Sequence, residues 1–195
     1  MVFDSIYATN GWNGKESLSG PGSGAASTQN MVPELLLMLA EYGVSSILDV
    51  GCGDNFWFPD LEIPYLGIDP VAQAIERARA RRPARQYIHG SLGAIELPWV
   101  PDLVISRDVM QHLSLGDGAR LLGDIEHTGT RLMLLSHYVD AVNEPIQTGG
   151  GYRPNLRDAP FFLDEPVTKI FDGWGWDDPH QVRDAWKYLG LWRNA

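Results

Sequence analysis

Five short apolar runs, at residues 46–50, 65–69, 86–90, 102–106 and 131–136, are rich in Ile, Leu or Val and lack polar alternation. A strand with one face in water alternates apolar and polar side chains, whereas a strand covered on both faces does not. Between the second and third runs, residues 72–82 are good helix formers. Between the fourth and fifth, residues 118–127 set Leu121, Leu122 and Ile125 to cover one face. Strands alternating with helices imply right-handed crossovers and a doubly wound sheet. A helix is also expected over residues 31–42, with Asn30 as cap, Pro33 in its first turn and Gly43 as stop. Residues 167–171 and 188–192 read as two further strands that close the sheet edge as an antiparallel pair. Only residues 54–64 separate the first two strands, and Pro59 and Pro64 interrupt them, so a short or irregular helix is expected there.

A chain of 195 residues favours one domain with a full core over two small ones. No apolar run approaches the roughly 20 residues that span a bilayer. The start, Met1 to Tyr7, has neither the basic patch nor the apolar stretch of a signal peptide. Cys52 is the only cysteine, which excludes an internal disulfide and speaks against a cysteine-based zinc site. A cytoplasmic setting is the expectation. The net charge of −10 disfavours nucleic acid as a partner, because binding to a phosphate backbone draws on basic side chains. Arg77, Arg79, Arg81, Arg82 and Arg85 form the one basic cluster, read here as a solvated helix face.

The first apolar run ends in Asp49-Val50-Gly51-Cys52-Gly53, at the carboxyl edge of the sheet, where open α/β folds bind ligands. Gly51 and Gly53 allow a sharp turn and a close backbone approach. The second run ends in Asp69, whose carboxylate could accept from both hydroxyls of a ribose. A dinucleotide-binding turn needs a third glycine, and Phe56 stands there instead. Asp49 adds negative charge near the turn, which suits a cationic ligand better than a diphosphate. S-adenosylmethionine, with an ammonium and a sulfonium and no phosphate, fits that description. Pro70 follows Asp69, and Ser91 and Leu92 follow the third strand, all within reach of an adenosine.

On these residues the chain resembles class I S-adenosylmethionine-dependent methyltransferases, and in particular small bacterial ones associated with polysaccharide or secondary-metabolite genes. The likeness runs through residues 12–23, Gly53 to Trp57, Ser106 to Leu113, Asn143, residues 151–156, Pro160 to Phe162 and residues 187–192. It implies a Rossmann-like, doubly wound, mostly parallel seven-stranded sheet with an antiparallel edge strand. It also implies S-adenosylmethionine as cofactor and methyl transfer to a small polar acceptor, such as a saccharide hydroxyl. Ser91 departs from the acidic residue that such proteins often carry after the third strand, and the residue order around Asn55 also differs.

An alcohol acceptor needs a base within hydrogen-bond reach. Asp108 follows the fourth strand, His112 lies one helical turn on where Asp108 could orient it, and His137 ends the fifth strand. These three are the candidate catalytic residues. His180 reads as solvent-facing. Residues 1–29, rich in Gly and Ser, are expected to cover the cofactor, with Ser19, Gly20, Gly22, Ser23 and Arg107 beside its methionine part. Residues 137–166 are too long for an ordinary connection and are expected to shape the acceptor pocket, with Trp12, Asn143, Tyr152 and Arg153 binding substrate. Tyr7 and Trp57 are further candidates for stacking. Asp108, Asp140 and Asp164 could offer oxygen ligands but form no tight motif, and no metal is expected. Two other readings remain open at this level: a cofactor-binding partner subunit without catalysis, and a methyltransferase acting on a nucleic-acid base. The segment Ser106-Arg107-Asp108-Val109 lacks the Asn/Asp-Pro-Pro-Tyr pattern of the latter.

Overall fold

The computed structural model describes residues 1–172 and 187–194. Strands β1 (Ile47–Val50), β2 (Tyr65–Asp69), β3 (Gln86–His89), β4 (Leu103–Ser106), β5 (Leu132–Tyr138), β6 (Thr168–Phe171) and β7 (Lys187–Arg193) form one sheet in the order β3-β2-β1-β4-β5-β7-β6. β1 to β5 are parallel, and β7 runs antiparallel to both β5 and β6. This is the doubly wound, mostly parallel sheet with an antiparallel pair at its edge that the apolar runs predict. The order reverses between β1 and β4, so a crevice opens there above the carboxyl ends of the strands.

The strands lack alternation because each has two cores to fill. On one face Ile47, Leu103, Ile105 and Leu189 pack with Leu35 of α3 (Met31–Glu41). On the other Leu48, Val50 and Val104 pack with Leu122 and Ile125 of α5 (Leu115–Glu126). Each fully buried aliphatic side chain contributes about 1.5–3 kcal/mol. Ser114 starts α5, its hydroxyl accepting from the Asp117 N–H at 3.1 Å.

The connection from β1 to β2 contains no helix, which corrects the sequence expectation. Its prolines prevent a helical ladder, and side chains from outside hold it instead. Arg82 and Arg85, just beyond α4 (Ala72–Arg81), reach across to it. Arg85 donates to Asn55 Oδ1 at 2.7 Å and to the Pro59 carbonyl, and Arg82 donates to the Asn55 carbonyl and pairs with Asp60. Arg85 also lies over the Tyr65 ring and Arg81 over Phe56. The arginine cluster is therefore a clamp on an irregular crossover, and only Arg77 and Arg79 of the five are exposed. Arg79 still donates to the Tyr87 carbonyl at 2.9 Å.

The N-terminal segment contains two helices that lack a clear signal, α1 (Val2–Ala8) and α2 (Ala25–Thr28). α1 packs on α4 through Tyr7, Val71 and Ala74. Among the described residues no helix is long and apolar enough to cross a membrane.

Candidate active site

The crevice above β1 and β4 holds a cavity of about 430 Å³, within the usual range for a small-molecule site. Its floor is the β1 turn. Gly51 and Gly53 have φ of +76° and +57°, conformations that side-chain-bearing residues rarely adopt. A β-carbon on Gly51 would stand 2.2 Å from Val109, and one on Gly53 2.1 Å from the Ser19 hydroxyl. Both glycines are thus required by the turn and by what closes over it.

Asp69 lies at the cavity's β2 end. Its oxygens accept from Gly53 N–H at 3.0 Å and Val71 N–H at 2.9 Å, which fixes the carboxylate while leaving further lone pairs. Burial pushes its carboxyl up to about 6, against the lowering effect of those two N–H groups. Pro70, Leu92 and the exposed Ser91 line the same end.

Asp49 does not line the cavity, which corrects the role given to its charge. It is buried on the far side of the turn and accepts from the Tyr65 hydroxyl at 2.6 Å. Tyr65 in turn accepts from Asn55 Nδ2, and Asn55 Oδ1 accepts from Tyr87 and Arg85. Burial raises the Asp49 carboxyl to about 6. Its function is to brace the turn from below.

The next acid along, Asp54, is fully buried and ties down the N-terminal segment. Ser17 Oγ donates to it at 2.7 Å and Leu18 N–H at 3.3 Å, while its own N–H donates to Ser19 Oγ at 3.2 Å. Ser19 also bonds the Tyr7 hydroxyl at 2.8 Å. Tyr7, Trp12, Ser19 and Ser23 thereby line the cavity from above, as does Trp57 from the crossover. Gly20 does not reach it. It has φ of +100°, and a β-carbon there would stand 3.3 Å from Trp12 Cβ.

At the β4 end four charges interlock. Arg107 donates from Nε and Nη2 to both oxygens of Asp172 at 2.9 and 2.7 Å, and to the Gly22 carbonyl at 2.9 Å. Lys187 bridges Asp108 at 2.6 Å and Asp172 at 2.8 Å. Burial alone would raise the Asp108 carboxyl, but the Lys187 and Arg107 charges outweigh it and hold it down at about 2. The same two carboxylates raise Arg107 above its ordinary value, against the opposing effect of burial. Asp108 carries φ of +59° and faces the cavity.

His112 lines the cavity four residues further on, in a short 3-10 turn (Met110–His112). It makes no hydrogen bond to Asp108, contrary to the expected pairing; Lys187 occupies that carboxylate. The Gly150 carbonyl accepts from Nδ1 at 2.8 Å, and Nε2 faces Gln111 Nε2 at 3.2 Å. The Tyr138 hydroxyl donates to Gln111 Oε1 at 3.1 Å, which turns the amide nitrogen toward the imidazole. The Gly150 carbonyl can only accept, so Nδ1 is the donor there and Nε2 is the nitrogen turned toward Gln111. The Trp12 ring lies over the imidazole at 5.1 Å.

His137 does not join them. It is 1% exposed, its Nδ1 accepts from Leu156 N–H at 3.1 Å, and it borders a separate surface cavity of about 570 Å³. Burial pushes its pKa down to about 4. The neutral form is favoured in the fold, while the unfolded chain takes up a proton below about 6.5. Stability contributed by His137 is therefore present above that pH and is lost as pH falls toward 4. His137→Asn keeps an acceptor for Leu156 N–H and removes the titration. Urea unfolding of the two proteins at pH 7 and pH 4.5 should show the wild type losing more stability than the variant, and equal losses would contradict this.

The long loop contributes less to the cavity than expected. Only Thr148 lines it, while Gly149 and Tyr152 N–H groups bond the carbonyls of His112 and Gln111 and hold that turn in place. Tyr152 is buried and lies outside the cavity, so its ring is not available to stack on a substrate there. Arg153 points to solvent, outside the cavity. Asn143 is a staple within the loop, bonding the Asn155 N–H and the carbonyls of Asn155 and Ala159. Asp140 and Asp164 border the His137 cavity, so they do not converge with Asp108. His180 lies outside the described residues.

Residues 48–127 match the methyltransferase domain family. The chain carries a methyltransferase domain. No curated protein matches its sequence, but many solved structures share its fold. The magnesium protoporphyrin IX methyltransferase of Synechocystis PCC 6803, determined with S-adenosylhomocysteine, superposes with a TM-score of 0.66 at 12% identity, covering 98% of this chain and 94% of that one. A Leishmania major S-adenosylmethionine-dependent methyltransferase gives 0.67 at 15% identity, over 97% and 83%. The N-methyltransferase NodS of Bradyrhizobium japonicum gives 0.58 at 16% identity, over 87% and 96%. Such identities establish the fold.

The methyltransferase domain's cavity fits S-adenosylmethionine. Four carboxylates, Asp69, Asp108, Asp117 and Asp124, line it against the guanidiniums of Arg107 and Arg120. Arg107 and Lys187 balance Asp108 and Asp172, and Arg120 pairs with Asp117, so Asp69 and Asp124 are left over and the balance favours a cation over a phosphate.

Proposed function

We propose that this methyltransferase domain carries a methyl group from S-adenosylmethionine to a hydroxyl of a small polar acceptor, a saccharide being the class favoured. The carrying observation is that one cavity is lined both by the buried carboxylate of Asp69 and by the imidazole of His112, whose Nδ1 is held by a backbone carbonyl. When bound, the cofactor supplies an electrophilic methyl on a sulfonium. Asp69 holds the ribose, with Gly51 and Gly53 letting the backbone approach. Asp108, Arg107 and Ser19 line the end left for the methionine group. His112 Nε2 exchanges its long bond to Gln111 for the acceptor hydroxyl, takes its proton, and is kept in orientation by the Gly150 carbonyl. Trp12 and Tyr7 exclude water and offer an apolar face to a sugar ring.

Asp69→Ala removes the ribose acceptor. It is expected to weaken S-adenosylhomocysteine binding by about 1–3 kcal/mol, roughly fivefold to 150-fold in Kd. Calorimetry checks this, and an unchanged Kd would remove the role. The acceptor class is tested by incubating the protein with S-adenosylmethionine and a panel of free and nucleotide-linked sugars. Appearance of S-adenosylhomocysteine together with a methylated sugar in the mass spectrum is expected. Turnover confined to amines or thiols would overturn the hydroxyl assignment.

A further inference from the structure

We infer that Asp124 of α5 is the residue that recognises the exocyclic amino group of the cofactor's adenine, an inference that rests on the cavity's assignment to S-adenosylmethionine. A carboxylate is acceptor-only when ionised, so of adenine's polar edges it pairs only with the amino group. Four carboxylates line the cavity, and three are committed. Asp69 accepts from Gly53 and Val71, Asp108 is held by Lys187, and Asp117 accepts from the Ser114 and Thr148 hydroxyls and pairs with Arg120. Asp124 makes no hydrogen bond or ion pair among the described residues.

Its position follows from the sheet. Asp69 pairs in register with His89, and its carbonyl accepts from Gly90 N–H at 3.0 Å, so the turn after β3 lies beside the ribose carboxylate. That turn (Leu92–Ala94) packs against α5. A β-carbon on Gly93 would stand 2.5 Å from Asp124 Oδ2 and 2.9 Å from Oδ1. The missing side chain at Gly93 is what admits the carboxylate. A base extending from the Asp69 ribose along Leu92 therefore meets Asp124. Ser91, the residue directly after β3, is exposed and has only a hydroxyl to offer.

The test is calorimetric and needs no acceptor. S-adenosylhomocysteine is compared with its analogue in which hydrogen replaces the exocyclic amino group. The wild type should prefer the amino compound by about tenfold or more. Asp124→Ala should bind both alike, at the wild type's affinity for the deamino compound. Asp124→Asn, which keeps a neutral acceptor, should recover part of the preference. Gly93→Ala should lose it by pushing the carboxylate aside, a shift open to a flexible side chain in a fold that stays intact. A preference that survives in Asp124→Ala, or none in the wild type, overturns the inference while the methyltransferase reading stands. Failure of the wild type to bind either compound overturns both.

Discussion

His112→Ala is expected to lower turnover by roughly 10²–10⁴ while S-adenosylhomocysteine binds within about twofold of the wild type. The split follows from where His112 stands. It borders the same cavity as Asp69 but makes no bond to the glycine turn or to the residues around Asp69. The substitution removes the only imidazole facing that cavity among the described residues. It also strips a ring from beneath Trp12, so Trp12 fluorescence should change in the free protein. Steady-state release of S-adenosylhomocysteine gives the turnover and calorimetry the binding. Full activity in the variant would move the search for a base to Asp108. That group is a weak base, because Lys187 and Arg107 hold its carboxyl at about 2 against the effect of burial.

Asp172→Ala is expected to destabilise the fold by about 3–5 kcal/mol, the usual cost of leaving a buried charge without its partner. Here two cations lose that partner, for both Arg107 and Lys187 converge on Asp172. Against a typical total of about 5–15 kcal/mol, such a loss is a large share of the stability. Urea unfolding measures it directly. A midpoint unchanged from the wild type would show that the four charges are not the brace that their geometry describes.

The sheet was legible because its strands are buried on both faces and announce it as unbroken apolar runs. The glycine turn and Asp69 were legible for a related reason: their spacing is set by the strands themselves. α1 was not. It is seven residues long, and tertiary contacts to Val71 and Ala74 hold it, not any period of its own. The charge network joins Arg107, Asp108, Asp172 and Lys187 across up to 80 residues of sequence, and no local spacing signals that. Asp49 and Tyr152 were assigned to ligands on residue type. Burial decided otherwise, because Tyr65 claims the first and the second is buried away from the cavity. Arg81, Arg82 and Arg85 read as part of a solvated face because their partners lie in a crossover whose shape the prolines hide.

A crystal structure with S-adenosylhomocysteine tests the central claim most directly. The account predicts density for the ribose against Asp69, the base running past Leu92 toward Asp124, and the sulfur facing His112. Density for the compound elsewhere, or Trp12 and Tyr7 filling the crevice above Gly51 and Gly53 in a saturated crystal, would contradict it.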